Sequence, residues 1–225
     1  MSVPQTLAVP PAPTFAERLV KSLPALAMTS VLFGSSPIFA QAKTPEMKLS
    51  ATAQETIETR CALCHGKAGE SASAVYPRLA AQDRDYLVKQ LMDFRDGRRK
   101  SDTMTEMAKG LGDDVINELA HWFSTRPAAA RRAGDPDLMG VGRYIFLKGN
   151  PYSGVAACAS CHGEKGYGTH LLPRLAGQHP AYIETQLKEF GKRERNNDNA
   201  VMHSIASKLT ELEVHAVAAY LGAQQ

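Results

Sequence analysis

The sequence has 225 residues, 44% of them hydrophobic and 22% charged, with a formal charge of +3. This composition excludes a disordered chain, a collagen-like repeat and a multi-span membrane protein. The small positive balance makes no case for nucleic acid, and four cysteines are too few for a small disulfide-stapled scaffold.

Arg18 and Lys21 are the only basic residues before Lys43, and residues 22–42 carry no charge. A basic start, an apolar stretch from Leu23 to Phe33 and the small-residue exit Ala40-Gln41-Ala42 predict a secretory signal peptide over 1–42, cleaved after Ala42. The competing reading is an uncleaved anchor helix, which Ser22, Pro24, Thr29, Ser30, Gly34, Ser35, Ser36 and Pro37 dilute. Either way the rest of the chain is exported. The expected location is the periplasm, with membrane association only if the leader is retained.

The first distinctive segment is Cys61-Ala62-Leu63-Cys64-His65-Gly66, followed by Pro77-Arg78-Leu79-Ala80. A helix is predicted over 83–97, where Tyr86, Leu87, Leu91 and Phe94 share a face and Gly97 stops it. Another is predicted over 113–124, with Val115, Ile116, Leu119, Trp122 and Phe123 on one face. Thr125 to Gly134 is small, basic and bounded by proline and glycine, as an exposed linker is. Asp135-Pro136 opens a helix through Phe146. Further helices are predicted from Pro180 to Phe190, and after Thr210, where Glu213 three residues on completes a capping box. No segment alternates like a strand.

The second half repeats the first. Cys158-Ala159-Ser160-Cys161-His162-Gly163 matches the first motif, and Pro173-Arg174-Leu175-Ala176 matches 77–80. Gln82, Tyr86, Gln90, Leu91 and Phe94 recur as Gln178, Tyr182, Gln186, Leu187 and Phe190. The predicted organisation is all-α: a first domain over 43–125, a linker over 126–137 and a second domain over 138–225. Each domain is small for a self-sufficient core, a deficit that a large buried cofactor would relieve.

Cys-x-x-Cys-His suits c-type haem. Two thiols form thioethers with the macrocycle, and the adjacent histidine reaches the iron from the same turn. The rival readings are structural zinc, a redox dithiol or a structural disulfide. A zinc ribbon does not need histidine after both pairs, and a thioredoxin-like dithiol needs a βαβ context that is missing here. The expectation is two covalently bound haems, on Cys61 and Cys64 and on Cys158 and Cys161, with His65 and His162 as axial ligands.

For the sixth position the repeat is informative. Met202 is the only methionine after His162; it lies seven residues before Leu209, as Met104 does before Leu111. Met107 aligns with Ile205 and Met92 with Lys188. Met104 and Met202 are therefore the expected ligands, against a role as core filler. A bis-histidine site has weaker support, because His121, His170, His179, His203 and His215 do not recur. A carbonyl at Pro77 and Pro173 could accept the free imidazole N–H, and Arg78 and Arg174 could pair with haem propionates. Trp122, Tyr86, Tyr182 and Tyr220 read as core or pocket wall.

These motifs, the Gln82 and Gln178 positions, the two methionines and the Gly134-Asp135-Pro136 junction make the sequence resemble the cytochrome c4 family over essentially all of the exported chain. The resemblance implies two class I cytochrome c folds packed face to face, His/Met haems and one-electron transfer. The implied partners are periplasmic or membrane-bound redox proteins: a donor, and a terminal oxidase or other respiratory acceptor. The haem subunits of flavocytochrome c dehydrogenases are similar in layout, so a dehydrogenase subunit is the alternative. A dihaem peroxidase would need an open sixth position, which paired methionines oppose. One departure is the basic run Arg95-Asp96-Gly97-Arg98-Arg99-Lys100, which reads as a docking patch for an acidic partner or as a solvated loop.

Overall fold

The structure, a computed structural model, describes residues 48–128 and 134–225. The expected leader and residues 129–133 of the expected linker lie outside the described residues. Among the described residues the regular structure is helical, with one isolated antiparallel bridge between Asn150 and Val155.

Helix α1 (Ala51–Thr56) starts where the Ser50 hydroxyl accepts from the Ala53 amide. It passes through a π-helical turn (Ile57–Cys61) into α2 (Ala62–His65). Helix α3 (Arg84–Arg95) is capped by the Asp83 carboxylate, which accepts from the Asp85 and Tyr86 amides. Helices α4 (Asp102–Ala108) and α5 (Asp113–Ser124) complete the first half. Ala53, Ile57, Leu87, Phe94, Ile116 and Phe123 make its core.

The second half begins with α6 (Pro136–Lys148), with Asp135 as cap and Pro136 in its first turn. It continues through α7 (Ala159–His162), α8 (Pro180–Gly191), α9 (Val201–Ala206) and α10 (Glu211–Gly222). The expected capping box of Thr210 and Glu213 is formed. Ile145, Phe146, Ile183, Val217 and Leu221 are its core. The two halves use one plan: α1 and α3 pack on α5, and α6 and α8 pack on α10.

Helix α6 approaches α10 so closely that Gly142 is required. A Cβ there would lie 2.0 Å from the Ala216 carbonyl oxygen and 2.7 Å from Tyr220 Cβ. Gly142→Ala should therefore destabilise the second half by about 2 kcal/mol, the usual size of an overpacking penalty. Gly140, on the same helix, has nothing within 4 Å. Gly140→Ala should stabilise by up to ~1 kcal/mol, because alanine loses less backbone entropy. Thermal unfolding of the two variants side by side checks the opposed signs.

Both halves fall within one compact unit and meet along a polar seam. Gln178 Oε1 accepts from the Arg78 amide at 2.8 Å, and Gln178 Nε2 donates to the Arg78 carbonyl at 2.9 Å. Gln82 does the same to Arg174, at 2.6 and 3.0 Å. Each glutamine thus substitutes for a missing strand neighbour, satisfying backbone groups that would otherwise be buried unpaired.

Candidate functional site

Each Cys-x-x-Cys-His segment is a single helical turn. Cys61 leads into α2 and Cys158 into α7, and both turns end on their histidine. Gly66 and Gly163 then turn the chain at φ +78 in both halves, a backbone that other residues adopt only with strain. The loops that follow close in the same way. The Gly69 carbonyl accepts from the Leu79 and Ala80 amides, and the Gly166 carbonyl from those of Leu175 and Ala176.

This closure returns Pro77 and Pro173 to the histidines. His65 Nδ1 lies 2.8 Å from the Pro77 carbonyl oxygen, and His162 Nδ1 lies 3.2 Å from that of Pro173. A carbonyl can only accept, so the proton is on Nδ1 and the Nε2 lone pair is available to a metal. Both rings are buried. Burial pushes their pKa down, with the proline carbonyls opposing it, so the neutral ligating form is favoured.

All four cysteines are free thiols in the structure. Burial pushes Cys61 up to about 11, against the charge of Arg60, and burial also pushes Cys158 up to about 11. A reactive dithiol needs the opposite shift. Among the described residues no three histidine, cysteine or acidic side chains converge on a common metal position. A zinc site shared by the two pairs is therefore not assembled. Two thiols and one imidazole with a defined tautomer, in one turn and repeated, fit covalent haem.

The methionines sit on short helices that the hydrophobic pattern did not reveal. Met104 lies on α4, its amide donating to the Ser101 hydroxyl at 3.2 Å, and it packs with Cys61 against the first core. Met202 lies half-buried on α9, its amide donating to the Asp198 carboxylate. Each thus follows a side chain that holds its own amide. Three of the non-recurring histidines have other partners. His179 Nε2 is 2.9 Å from the Ser71 carbonyl across the seam, His203 Nδ1 is 3.0 Å from that of Phe190, and His215 pairs with Glu184.

The aromatic residues divide. Tyr220 is in the second core against Phe146, and Trp122 donates to the Lys67 carbonyl under the Arg126 guanidinium. Tyr86 and Tyr182 instead present their hydroxyls at the seam. Arg78 is buried and reaches the Gly177 carbonyl of the other half, while Arg174 lies over Tyr167 at 4.5 Å.

The basic run at 95–100 is exposed at Asp96, Gly97, Arg98 and Lys100, and its three arginines are held by other side chains. Arg95 is held by Asp96 and Asp113, and Arg98 by Asp93 and Asp96. Arg99 is 8% exposed, at the seam. The acids that neutralise the run are Asp96 within it, Asp93 two residues before it on α3, and the more distant Asp113 at the start of α5. Arg99 has a counterpart in Arg195, also 8% exposed. Sequence reading missed this pair, although it recurs at the same offset of 96 as Tyr86/Tyr182 and Gln90/Gln186.

The cytochrome c family model matches residues 148–225. Cytochrome c4 from Thiocapsa roseopersicina is 40% identical over 165 residues, covering 72% of this chain and 85% of the relative. A thiosulfate dehydrogenase electron acceptor from Thiomonas intermedia is 34% identical over 205 residues, covering 89% of each chain. The crystal structure of reduced recombinant cytochrome c4 from Pseudomonas stutzeri superposes with a TM-score of 0.73 at 33% identity, covering 77% of this chain and 97% of the other. The fold is thus two tandem class I cytochrome c folds, and the cofactors are two covalently bound c-type haems. Identity at this level across most of both chains reflects common ancestry rather than a shared motif, and the chain belongs to the cytochrome c4 family.

Proposed function

We propose that this protein carries single electrons in the periplasm, from a donor to a terminal oxidase or another respiratory acceptor. The observation that carries the reading is the duplicated turn, in which a buried histidine is held by a proline carbonyl beside two free cysteines. Cys61 and Cys64 hold one haem and Cys158 and Cys161 the other. His65 and Met104, and His162 and Met202, are the axial pairs. The domains run over 43–125 and 138–225, joined by 126–137.

When bound, the haem iron supplies a ferric/ferrous couple. The chain's own residues adapt it to electron carriage. Pro77 and Pro173 fix the histidine rings, which keeps the ligand geometry alike in both oxidation states. The Met104 and Met202 thioethers favour the ferrous state and raise the potential relative to a second histidine. A filled sixth position leaves no site for peroxide, so the protein has no peroxidase activity of its own. The basic start and uncharged stretch over 22–42, and the covalent attachment of the cofactor, support export. Among the described residues no helix is long and apolar enough to cross a membrane.

A second reading is favoured by the Thiomonas intermedia relative, which bears the name of an electron acceptor of thiosulfate dehydrogenase and matches over 89% of both chains. On that reading the protein accepts electrons from a periplasmic dehydrogenase. Purification from its own cells, followed by rapid-mixing reduction and oxidation, separates the two. A free protein reoxidised quickly by membranes containing oxidase supports the carrier. Stoichiometric co-purification with a dehydrogenase, and no reoxidation by membranes, supports the second.

A further inference from the structure

The two methionine segments differ in length. Arg99 lies five residues before Met104, but Arg195 lies seven before Met202. The shorter segment is secured within its own half. The Ser101 hydroxyl accepts from the Met104 amide at 3.2 Å, and among the described residues no hydrogen bond joins residues 100–104 to the second half. The longer segment reaches the other half. Lys89 Nζ, on α3, donates to the Asn197 carbonyl at 2.8 Å. The Asn197 side-chain amide donates to Asp93 Oδ2 at 2.7 Å and to Gln90 Oε1 at 3.1 Å.

The anchor on α3 is an ion pair. Lys89 also donates to Asp93, whose other carboxylate oxygen accepts from Arg98 at 2.7 Å. Asp93 is buried. Burial pushes its carboxyl up, but the bonds from Lys89, Arg98 and Asn197 outweigh burial and hold it below the usual carboxylate range, so it stays ionised. The arrangement is not reciprocated. The repeat offset of 96 puts Thr185 at the position of Lys89 and Glu189 at that of Asp93. The Thr185 hydroxyl donates to the Ala181 carbonyl on its own helix, and Glu189 accepts from Gln186. The second half therefore offers no lysine to the Met104 segment.

Beyond Asn197 the backbone is held against its own preference. Asn199 and Ala200 follow at φ 56 and 64, two successive residues with side chains in the left-handed region. The Asp198 carboxylate accepts from the Ala200 amide at 3.3 Å and from the Met202 amide. Helix α9, which carries Met202, has six residues and is too short to be stable without its surroundings. A strained turn persists only where its ends are fixed. One end here is Asn197, fixed by the first half. The other is the Met202 amide, fixed by Asp198.

We infer that Lys89 and Asp93 are positioning residues for the axial methionine of the opposite half. They hold Asn197, Asn197 and Asp198 hold the turn, and the turn places Met202. The sixth ligand of the second haem thus depends on the first half, whereas Met104 depends on its own half. The coupling runs one way. This inference rests on the reading of Met104 and Met202 as ligands above.

Imidazole titration of the ferric holoprotein tests this, because added imidazole binds where the methionine has left the iron. Loss of the far-red thioether-to-iron absorption band reads the binding, and the second haem is identified as the one that Met202→Ala opens. Lys89→Met should raise the imidazole affinity of the second haem about tenfold, the size of one lost hydrogen bond from a charged group, and that of the first haem less than about twofold. Lys89→Arg, which can still donate to the carbonyl and the carboxylate, should keep both haems within about twofold of the parent. Asp198→Ala should act on the second haem as Lys89→Met does. An unchanged second haem in Lys89→Met or in Asp198→Ala, an equal rise at both haems, or no rescue by arginine would each overturn the inference. Should Lys89→Met fail to load two haems, Asn197→Ala, which breaks the bond to Asp93 instead, takes its place with the same outcomes. If Met202→Ala leaves the band and both midpoints unchanged, the ligand reading itself fails, and the inference falls with it.

Discussion

Cys61→Ala combined with Cys64→Ala should leave one covalent haem per chain instead of two, with the second half unaffected. Attachment at the first turn needs both sulfurs within one helical turn, and the residues that perform it in the second half lie in a separate turn, α7. His65 would still be held by the Pro77 carbonyl, but imidazole alone does not retain haem against dilution and unfolding. Mass spectrometry of the denatured protein reads the haem count directly. A denatured double variant still carrying two haems would refute the attachment sites. The loss should also loosen the first half, because Cys61 and Met104 pack against the core formed by α1, α3 and α5. The seam should persist, since its hydrogen bonds come from α3, α8 and the loops beside them.

Met202→Ala should open the sixth position of the second haem and lower that haem's midpoint by on the order of 100 mV, a modest part of the ~0.8 V that axial ligation spans. A soft thioether favours ferrous iron, and the water that would enter in its place favours ferric. The ferric spectrum should gain a high-spin component, and the first haem should keep its midpoint. An unchanged spectrum and potential would reject Met202 as a ligand. Met202 is half-buried and outside the side chains packed on the second core, so truncation should cost little stability.

The elements legible in the sequence are those whose signals are local. Asp83, Asp135 and Thr210 each cap a helix within three residues of themselves, so α3, α6 and α10 can be located by inspection. The repeated Pro77 and Pro173 pointed to the histidine partner because the two loops, twelve and eleven residues from histidine to proline, each close on one glycine carbonyl. Helix α1 escaped because its buried residues, Ala53 and Thr56, are few and small and lie among polar neighbours. Helices α4 and α9 escaped because six or seven residues present too little periodicity to read.

What the sequence left open concerns charge. The run at 95–100 read as a docking patch or a solvated loop; its nearby partners Asp93 and Asp96 stood beside it in the sequence, but Asp113 becomes a neighbour of Arg95 only after α3 and α5 fold together. Tyr86 and Tyr182 read as core or pocket wall from their place on a helical face, which says nothing of where their hydroxyls go. Their hydroxyls find arginines 109 and 83 residues away.

By itself the sequence determined the helical class, the duplication, the haem chemistry and the candidate ligands. Each of these depends on residues a few positions apart, or on one half compared with the other, and neither requires knowing how the halves meet. Only the tertiary structure decided how the charges are distributed. Whether an arginine is solvated, paired or buried depends on which distant groups approach it, and Coulomb interactions and desolvation follow distance in space, not distance along the chain.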